Sequence, residues 1–381
     1  MSIDITHLTG LKRIRSAEDI DEDETDCLER NGYRYVRKIA ESLQGEVFLA
    51  ESAFAPKAQP QPTKAKKTRF AVKRVHKVLC RDGMTFESED GTREFVDEDV
   101  LSEARVLRHL TVHNKVEHVA TFVAFFESAH CYYLVTEFID GVTLGEFAAQ
   151  AHSLLHSGEL STQKWLQTVK FIMWQLTAAM HWLHTVYGCC HLDLCADNVM
   201  LENAEASTSP RIAVKLIDFG VAQLFFDGSF ACDKEQLSID NGAYVAPEVL
   251  AGAVYDARKA DSWALGMLMY RLLTNAAPFV VEDVWHKHNG YAALRDGCFG
   301  KWLRAMSVIP RLSTNAKALL VSLLEFDAER RPLTLHAVRA KWFNAYWKAN
   351  GAKLTQTMED DAARLTAHAT ANIGAKRESD D

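Results

Sequence analysis

With 381 residues, the chain is longer than one hydrophobic core usually supports, so its length predicts two lobes with appended segments. Hydrophobic residues make up 48% of the sequence and charged residues 25%, which is typical of a soluble globular protein. The formal net charge of −8 argues against a nucleic-acid-binding surface, because binding to phosphate backbones depends on an excess of Lys and Arg.

The N-terminal sequence is acidic and lacks the basic-then-apolar pattern of a secretory signal, so we expect an intracellular, soluble protein of the cytoplasm. The eight cysteines include the adjacent pair Cys189 and Cys190 and have no C-x-x-C spacing, which favours reduced thiols over a zinc site. The most apolar stretch, residues 171–187, is interrupted by polar residues that include His181 and His184. A core helix is therefore expected there rather than a membrane span.

Residues 1–30 are polar and acidic, which predicts a flexible leader; binding of a regulatory partner is the second interpretation. Two polar insertions, near residues 53–68 and 81–97, are also predicted to be flexible. A helical pattern is present at residues 100–110. The runs with the composition of strands are residues 33–36, 46–50, 69–75, 119–126 and 131–138.

After Gly141 the spacing of apolar residues becomes helical. The tail at 348–381 is polar and is a second candidate for binding a regulatory partner, with a weak helical pattern at 358–371. A strand-rich first third and a helix-rich remainder predict two lobes with a crevice between them. The helices predicted in the second part are residues 165–183, 261–273, 317–324 and 337–348.

The sequence H-L-D-L-C-A-D-N at residues 191–198 is followed by D-F-G at 218–220. Asp193 can hold and orient a hydroxyl nucleophile, and Asn198 and Asp218 can supply oxygens to a magnesium ion that bridges nucleotide phosphates. The order H-x-D-x-x-x-x-N and then D-F-G resembles the eukaryotic protein kinase family. The residues that end in A-P-E at 246–248 are similar to its serine/threonine type.

The resemblance extends from Tyr33 to about Trp347 and implies an α+β, bilobal protein-kinase-like fold. A β-rich N-lobe is expected at 31–138 and an α-helical C-lobe at 139–347. The implied activity is transfer of the γ-phosphoryl group of Mg-ATP to serine or threonine hydroxyls of protein substrates, with ATP and Mg²⁺ as cofactors. The catalytic residues are then Asp193, Lys73 and Glu103, and the metal ligands are Asn198 and Asp218.

The resemblance also implies a nucleotide site. I-A-E-S-L-Q-G-E-V at 39–47 takes the place of the Gly-rich loop, although Ala40 and Ser42 stand where the family usually has glycines. F-A-V-K at 70–73 resembles the third-strand lysine motif. The nucleotide-binding set implied by the resemblance is Ile39, Gly45, Val47, Ala71, Lys73, Thr136, Glu137, Phe138, Met200 and Asp218.

Within this set, Lys73 is expected to hold phosphates and to pair with Glu103, with Glu98 and Asp99 as alternative acids. Thr136 falls at the gatekeeper position, and the main chain of the next two residues is expected to bond the adenine edge. Met200 is expected to form the floor beneath the adenine.

Three further matches are structural. The resemblance places His191 beneath the phenylalanine of D-F-G and makes Asp261 the anchor of the loop that contains Asp193. It also pairs Glu248 with Arg331, a contact between residues far apart in the sequence.

The sequence departs from the family pattern at several positions. Leu192 replaces an arginine that grips a phosphorylated activation loop in many kinases, and Cys195 replaces a lysine that neutralises the γ-phosphate. Asn241 stands where a threonine is usual. Arg271 occupies a position where arginine-directed relatives often have an acid, so a strong preference for basic residues before the target serine is not expected.

These departures leave an alternative open, a pseudokinase scaffold with weak or no catalysis that acts through protein contacts. A small-molecule phosphotransferase is a third possibility, since such enzymes share the H-x-D-x-x-x-x-N loop. A-P-E at 246–248, Asp261 and Arg331 speak against it.

Overall fold

The computed structural model describes residues 27–42, 44–53, 68–81, 84–87, 93–96, 99–112, 117–202, 212–233, 244–252, 254–276 and 312–379. Close contacts divide the chain into one unit of Met1–Asp82 and Val123–Phe138 and another of Gly83–Phe122 and Ile139–Asp381. The boundaries of leader, lobes and tail inferred from the sequence stay predictions. Most of the leader, most of the first insertion, Glu98 and Asn241 lie outside the described residues.

The longer strands lie in the first third of the chain and the longer helices in the remainder, as the sequence pattern indicates, and the α+β class is confirmed. The strands are β1 (Tyr33–Ser42), β2 (Gly45–Ser52), β3 (Arg69–His76), β4 (Met84–Glu87), β5 (Arg93–Val96), β6 (Phe122–Glu127), β7 (Cys131–Glu137), β8 (Gly141–Thr143), β9 (Cys189–Cys190), β10 (Val199–Glu202), β11 (Ala213–Leu216), β12 (Gln223–Leu224), β13 (Ala231–Cys232) and β14 (Tyr255–Asp256). The helices are α1 (Lys77–Arg81), α2 (Val100–Val112), α3 (Leu144–Ser157), α4 (Thr162–Trp182), α5 (Pro247–Leu250), α6 (Ala257–Thr274), α7 (Thr314–Leu323), α8 (Thr334–Val338) and α9 (Asn344–Ser379).

The first unit is built on a five-stranded sheet in the order β1-β2-β3-β7-β6. Its central strands are rich in β-branched and aromatic residues, which suit a pleated surface that is buried on one face. That face carries Phe48, Val72, Tyr133 and Val135 into one hydrophobic core. Leu28, which is 1% exposed, joins the same core from a helical turn at 27–30, so the end of the predicted leader is packed.

Helices α4 and α6 form the centre of the second unit, because both bury most of their residues. Ser161 begins α4 by accepting a hydrogen bond from the Lys164 N–H, and Asp256 begins α6 by accepting one from the Arg258 N–H. Helix α4 continues into a π-helical turn at Leu183–Tyr187, which the sequence pattern did not indicate. The chain then leads directly into β9 and the residues of the H-x-D motif.

The C-terminal segment differs from the sequence prediction. Instead of one helix at 337–348, α8 ends at Val338, a 3₁₀ turn follows at Lys341–Phe343, and α9 continues from Asn344. The break buries Phe343, whose ring lies 5.7 Å from that of Trp174 on α4. The weak helical pattern at 358–371 is part of α9, which runs through most of the polar tail. None of the helices in the described part of the chain is long and apolar enough to cross a membrane.

Candidate active site

The pairing of four short strands holds two loops of the second unit side by side. The H-x-D loop, residues 191–198, connects β9 to β10, and the D-F-G loop, residues 217–222, connects β11 to β12. Strand β10 pairs with β11 and β9 pairs with β12, so both ends of one loop are fixed to both ends of the other. The Ile217 N–H also donates to the Asn198 carbonyl at 3.0 Å. Residues that the sequence separates by about twenty positions are therefore adjacent.

Asp261 anchors the H-x-D loop from α6. Its Oδ2 accepts a hydrogen bond from the His191 N–H at 3.0 Å, and its Oδ1 accepts one from the Leu192 N–H at 2.8 Å. The His184 ring donates to Oδ2 as well, at 2.8 Å. Asp261 is 1% exposed, and a buried carboxylate persists when its oxygens accept several hydrogen bonds. The anchoring role predicted for Asp261 is confirmed.

Asp193 and Asn198 are joined directly within the H-x-D loop. The Asn198 amide nitrogen donates to the Asp193 Oδ2 at 2.8 Å and to the Asp193 carbonyl at 2.9 Å. The preceding residue, Leu192, has a φ of 64°, which is uncommon for a residue with a side chain. The loop therefore fixes both the main chain and the carboxylate of Asp193.

His191 supports the loop from below and is held as a neutral ring. Its Nε2 donates to the Ile217 carbonyl at 3.2 Å, and its Nδ1 accepts the Asp193 N–H at 3.3 Å. Burial lowers the pKa of His191, in keeping with this neutral state. The ring centre lies 4.7 Å from that of Phe219, so the predicted position beneath the D-F-G phenylalanine is confirmed.

The D-F-G loop is fixed by its own turn and by α2. Asp218 has a φ of 57°, and its Oδ1 accepts the Gly220 N–H at 3.1 Å. Glu103, on α2 and 3% exposed, accepts the Phe219 N–H at 3.3 Å. Asp99 begins the same helix, its Oδ1 accepting the Leu101 N–H at 2.9 Å. Of these two acids, Glu103 is the one whose carboxylate meets the D-F-G loop.

The oxygen donors of these loops suit a hard cation. Mg²⁺ prefers carboxylate and amide oxygens, and Asp218 and Asn198 are of these types. Because the amide nitrogen of Asn198 binds Asp193, the amide oxygen is the end that a cation would contact. A second group of possible ligands in the described residues, His184, Cys190 and Asp261, has ligand atoms within 4.8 Å of one another. Burial raises the pKa of the Cys190 thiol, and Asp261 already binds two main-chain N–H groups, so this group serves to hold the loop.

In the first unit, four residues of the predicted nucleotide set share one face of the sheet. Lys73 lies opposite Val47 of β2, and Ala71 lies opposite Thr136 of β7. Ala71 and Lys73 are two residues apart on one strand and so point to the same side. Val72 between them points into the core. Glu137 ends β7, Phe138 follows it, and Ile39 lies in β1 next to a register shift.

The segment that resembles a Gly-rich loop contains one glycine, Gly45, and a side chain at this position would clash. A Cβ placed on Gly45 would lie 1.9 Å from the Arg74 carbonyl oxygen, so only glycine allows β2 to begin this close to β3. The Gln44 carbonyl accepts the His76 N–H at 3.1 Å beside it. This glycine is therefore required for sheet packing.

Glu248 and Arg331 form the predicted ion pair. The Arg331 Nη2 donates to the Glu248 Oε2 at 2.9 Å, and Nη1 binds the other carboxylate oxygen. The contact joins the A-P-E sequence, at the start of α5, to the segment that precedes α8. This prediction is confirmed.

Comparison with known proteins agrees with this geometry. The chain matches the protein kinase domain family over residues 62–343. The chain belongs to the protein kinase family. This kinase-family chain is 29% identical over 253 residues to the serine/threonine-protein kinase RAD53 of Saccharomyces cerevisiae, covering 62% of this chain and 27% of that protein. It is also 29% identical over 256 residues to the hormonally up-regulated neu tumor-associated kinase of Mus musculus, covering 66% of this chain and 32% of that protein.

The kinase chain thus spans about a third or less of the length of these curated relatives. The matched span begins after β2, so the nucleotide roles of residues 39–47 depend on the sequence resemblance alone. The pairing of Lys73 with Glu103 also stays a prediction.

The two departures of this kinase's H-x-D loop are both buried. Leu192 lines a cavity of about 20 Å³ together with Asp193 and Tyr244. Cys195 is 1% exposed, and burial raises the pKa of its thiol, so the position that a lysine occupies in many kinases holds a neutral group. The loop therefore has no positive charge at this position.

Two residues of this region were not predicted from the sequence. Tyr244 is half-buried and lines the same cavity as Leu192, Asp193 and Leu194 of the H-x-D loop. His184 bridges Asp261 and the Thr334 hydroxyl, the latter at 3.2 Å. The only sequence signal for His184 was a polar residue within an apolar run, which does not reveal a distant partner.

Proposed function

We propose that this protein is an ATP- and Mg²⁺-dependent serine/threonine protein kinase. The observation that carries the proposal is the fixed carboxylate of Asp193, held by the Asn198 amide at 2.8 Å within a loop that Asp261 anchors. A carboxylate in a fixed position can orient an incoming hydroxyl without unusual basicity, because phosphoryl transfer passes through a loose transition state in which positioning dominates.

The proposed roles follow from the chemistry of each side chain. Asp193 accepts the hydrogen bond of a serine or threonine hydroxyl of the protein substrate and then takes its proton. Asn198 and Asp218 would hold Mg²⁺ through oxygen atoms. Lys73, oriented by Glu103, would hold the nucleotide phosphates. Bound Mg-ATP supplies the γ-phosphoryl group that the hydroxyl receives.

Adenine contacts in this proposal come from the residues that the kinase resemblance indicates. Val47 and Ala71 share the sheet face that carries Lys73, which supports their assignment to one nucleotide site. Protein substrates are the partners that this function requires. A regulatory partner at the acidic leader or the tail, and a location in the cytoplasm, remain predictions.

A second candidate is a pseudokinase scaffold, and the burial of Cys195 favours it. The loss of one charged contact to a phosphoryl group can reduce transition-state stabilisation by about 2–4 kcal/mol. A protein with this deficit would retain the fold and could act through protein contacts while transferring phosphate slowly or not at all.

Transfer from radiolabelled ATP to a generic protein substrate such as casein separates the two candidates. We expect transfer by the wild type and a loss of at least about 100-fold in Asp193→Asn, which keeps the shape of the side chain but cannot take a proton. Asp360→Asn, an exposed substitution on α9, is the control and should retain full activity. Nucleotide binding without transfer in the wild type would reject the enzyme and support the scaffold.

A further inference from the structure

The first turn of α3 lies against the H-x-D loop, at the residues that follow Asp193. The Gly145 N–H donates to the Ala196 carbonyl at 3.3 Å. A Cβ placed on Gly145 would lie 3.1 Å from the Asp197 Oδ1 and 3.6 Å from the Ala196 Cβ. The first distance is shorter than an ordinary van der Waals contact, so any side chain at Gly145 requires either the helix or the loop to move.

The start of α3 is held in place on several sides. Thr143 ends β8, where it lies opposite Met200 of β10. The Thr143 hydroxyl accepts the Glu146 N–H at 3.2 Å, and the Glu146 carboxylate accepts the Thr143 N–H at 2.9 Å, which forms a capping box. Leu144 and Phe147 of the same turn are fully buried. Because the helix is fixed, the loop is the part that a side chain at this position would displace.

The displaced segment holds the carboxylate of Asp193. Asn198 directly follows Asp197, and its amide nitrogen donates to the Asp193 Oδ2 at 2.8 Å. A shift of Asp197 therefore moves the side chain that orients Asp193. A misplacement of about 1 Å can lower a reaction rate by about 100-fold, so shifts of a fraction of that distance also lower it measurably.

We propose that Gly145 is a positioning residue for phosphoryl transfer. With no side chain at Gly145, the first turn of α3 supports the H-x-D loop without displacing it, and Asn198 keeps the Asp193 carboxylate in the orientation that the substrate hydroxyl requires. Gly145 acts through the loop and not by contact with the substrate. The inference rests on the proposed kinase function and adds a residue to its machinery.

Transfer from radiolabelled ATP to saturating casein measures this role. We expect kcat to fall about 5-fold in Gly145→Ala and at least about 20-fold in Gly145→Val, because the displacement of the loop grows with the side chain. KM for ATP should stay within about 3-fold in both variants, since the orientation of Asp193 matters in the transition state more than in nucleotide binding. A rise in KM for ATP without a loss of kcat would overturn the proposal.

Gly158→Ala is the matched control at the other end of α3. Gly158 has a φ of 81°, so alanine is strained there and lowers the stability of the same helix. No atom of the described residues lies within 4 Å of the added Cβ, so the H-x-D loop is not disturbed. The kcat of Gly158→Ala should stay within about 2-fold of the wild type. Equal losses of kcat in Gly158→Ala and Gly145→Ala would show that only the stability of α3 matters and would reject the positioning role.

A double-mutant cycle shows whether the effect passes through the loop. Asp197→Ala removes the carboxylate that a Cβ on Gly145 would approach. The kcat of Gly145→Ala/Asp197→Ala should therefore lie within about 2-fold of that of Asp197→Ala alone. A loss of about 5-fold from Gly145→Ala in both backgrounds would contradict the steric explanation.

Amide hydrogen exchange of the nucleotide-free chain separates this proposal from the proposed function. The N–H groups of residues 191–193 donate to buried side chains, so their exchange rates report the order of the loop. The peptide spanning residues 189–198 should exchange at least about 10-fold faster in Gly145→Val than in the wild type, and at the wild-type rate in Gly158→Ala. If the wild type transfers no phosphate, the proposed function is rejected, and the exchange rates still decide whether Gly145 supports the loop. Unchanged exchange in Gly145→Val rejects the proposal even where transfer is observed.

Discussion

Arg331 illustrates how one side chain joins distant parts of the second unit. Besides Glu248, its guanidinium donates to the Glu325 carbonyl at 3.0 Å and the Lys259 carbonyl at 2.8 Å. It also lies 5.0 Å from the centre of the Trp263 ring. This number of contacts explains how a fully buried positive charge is tolerated.

We predict that Arg331→Lys lowers the free energy of unfolding by about 2–4 kcal/mol, because one ammonium cannot replace three guanidinium nitrogens and leaves Glu248 incompletely paired. The matched control is Arg330→Lys. The Arg330 side chain is 72% exposed, and its Nη2 lies 3.6 Å from the Glu325 Oε2, a weak surface ion pair. This change should stay within about 0.5 kcal/mol. Urea unfolding measures both, and equal losses would contradict the prediction.

The buried ring of His181 predicts a loss of stability in acid. Its pKa is lowered to about 4, first by burial and then by electrostatic interaction with His184, Arg339 and His336. Histidine in the unfolded chain titrates near 6.5, so the unfolded state binds a proton that the folded state rejects. Stability due to His181 is thus present above pH 6.5 and is lost as the pH falls toward 4.

At pH 5 this loss amounts to about 2 kcal/mol. Between pH 7.5 and pH 5 the free energy of unfolding should fall by about 2 kcal/mol less in His181→Gln than in the wild type. Urea unfolding at each pH measures this difference. His156→Gln, an exposed change on α3, should follow the wild type. The same pH dependence in wild type and His181→Gln would show that another group is responsible.

At the residue scale, the sequence predicted contacts that belong to recognisable motifs. The Glu248–Arg331 pair, the anchoring by Asp261 and the ring contact of His191 with Phe219 are all of this kind. The positions of Tyr244 and His184 were not predictable in this way. Tyr244 shares a cavity with the H-x-D loop and His184 bonds Thr334, and no motif spacing reveals either relation.

At the scale of elements, Gly266 determines how closely α6 and α7 approach. A Cβ at this position would lie 2.7 Å from the Leu324 Cδ2 and 2.8 Å from its Cγ. We predict that Gly266→Ala lowers the free energy of unfolding by about 1–3 kcal/mol. This loss is expected even though alanine is favoured over glycine inside helices by about 1 kcal/mol.

A double-mutant cycle with Leu324→Ala tests the steric explanation. Removing the leucine side chain makes room for the new methyl group, so the two changes should couple by about 1 kcal/mol or more in urea unfolding. Additive effects of Gly266→Ala and Leu324→Ala would mean that the cost arises elsewhere.

The elements that the sequence did not predict are short or depend on distant packing. Strands β9 and β12 contain two residues each, too few for a period to be visible, yet their pairing aligns the H-x-D and D-F-G loops. The tail shows only a weak helical pattern, but the start of α9 is fixed by Trp174, whose ring lies 5.9 Å from that of Tyr346. The position of α9 thus depends on a residue about 170 positions earlier.

At the scale of the whole molecule, the α+β class and the family were predicted correctly from the sequence, because motifs typical of the family occur over most of the chain. Catalysis was less predictable. The motif residues are present. However, the sequence does not show how far a neutral, buried Cys195 reduces the stabilisation of the transition state. A measurement on the intact chain that separates nucleotide binding from transfer is therefore needed.

Thermal unfolding with Mg-ATP provides that measurement. A ligand at about 100 times its Kd stabilises the folded state by about 2.7 kcal/mol, which raises the Tm of a protein of this size by about 3 °C. We predict this rise for the wild type and equally for Asp193→Asn, because Asp193 acts on the substrate hydroxyl. In Lys73→Met most of this rise in Tm should be lost, because the ammonium that would hold the phosphates is gone. Adenosine, which has no phosphate groups, should affect wild type and Lys73→Met alike. A full rise in Lys73→Met would contradict its assigned role, and no rise in the wild type would reject nucleotide binding.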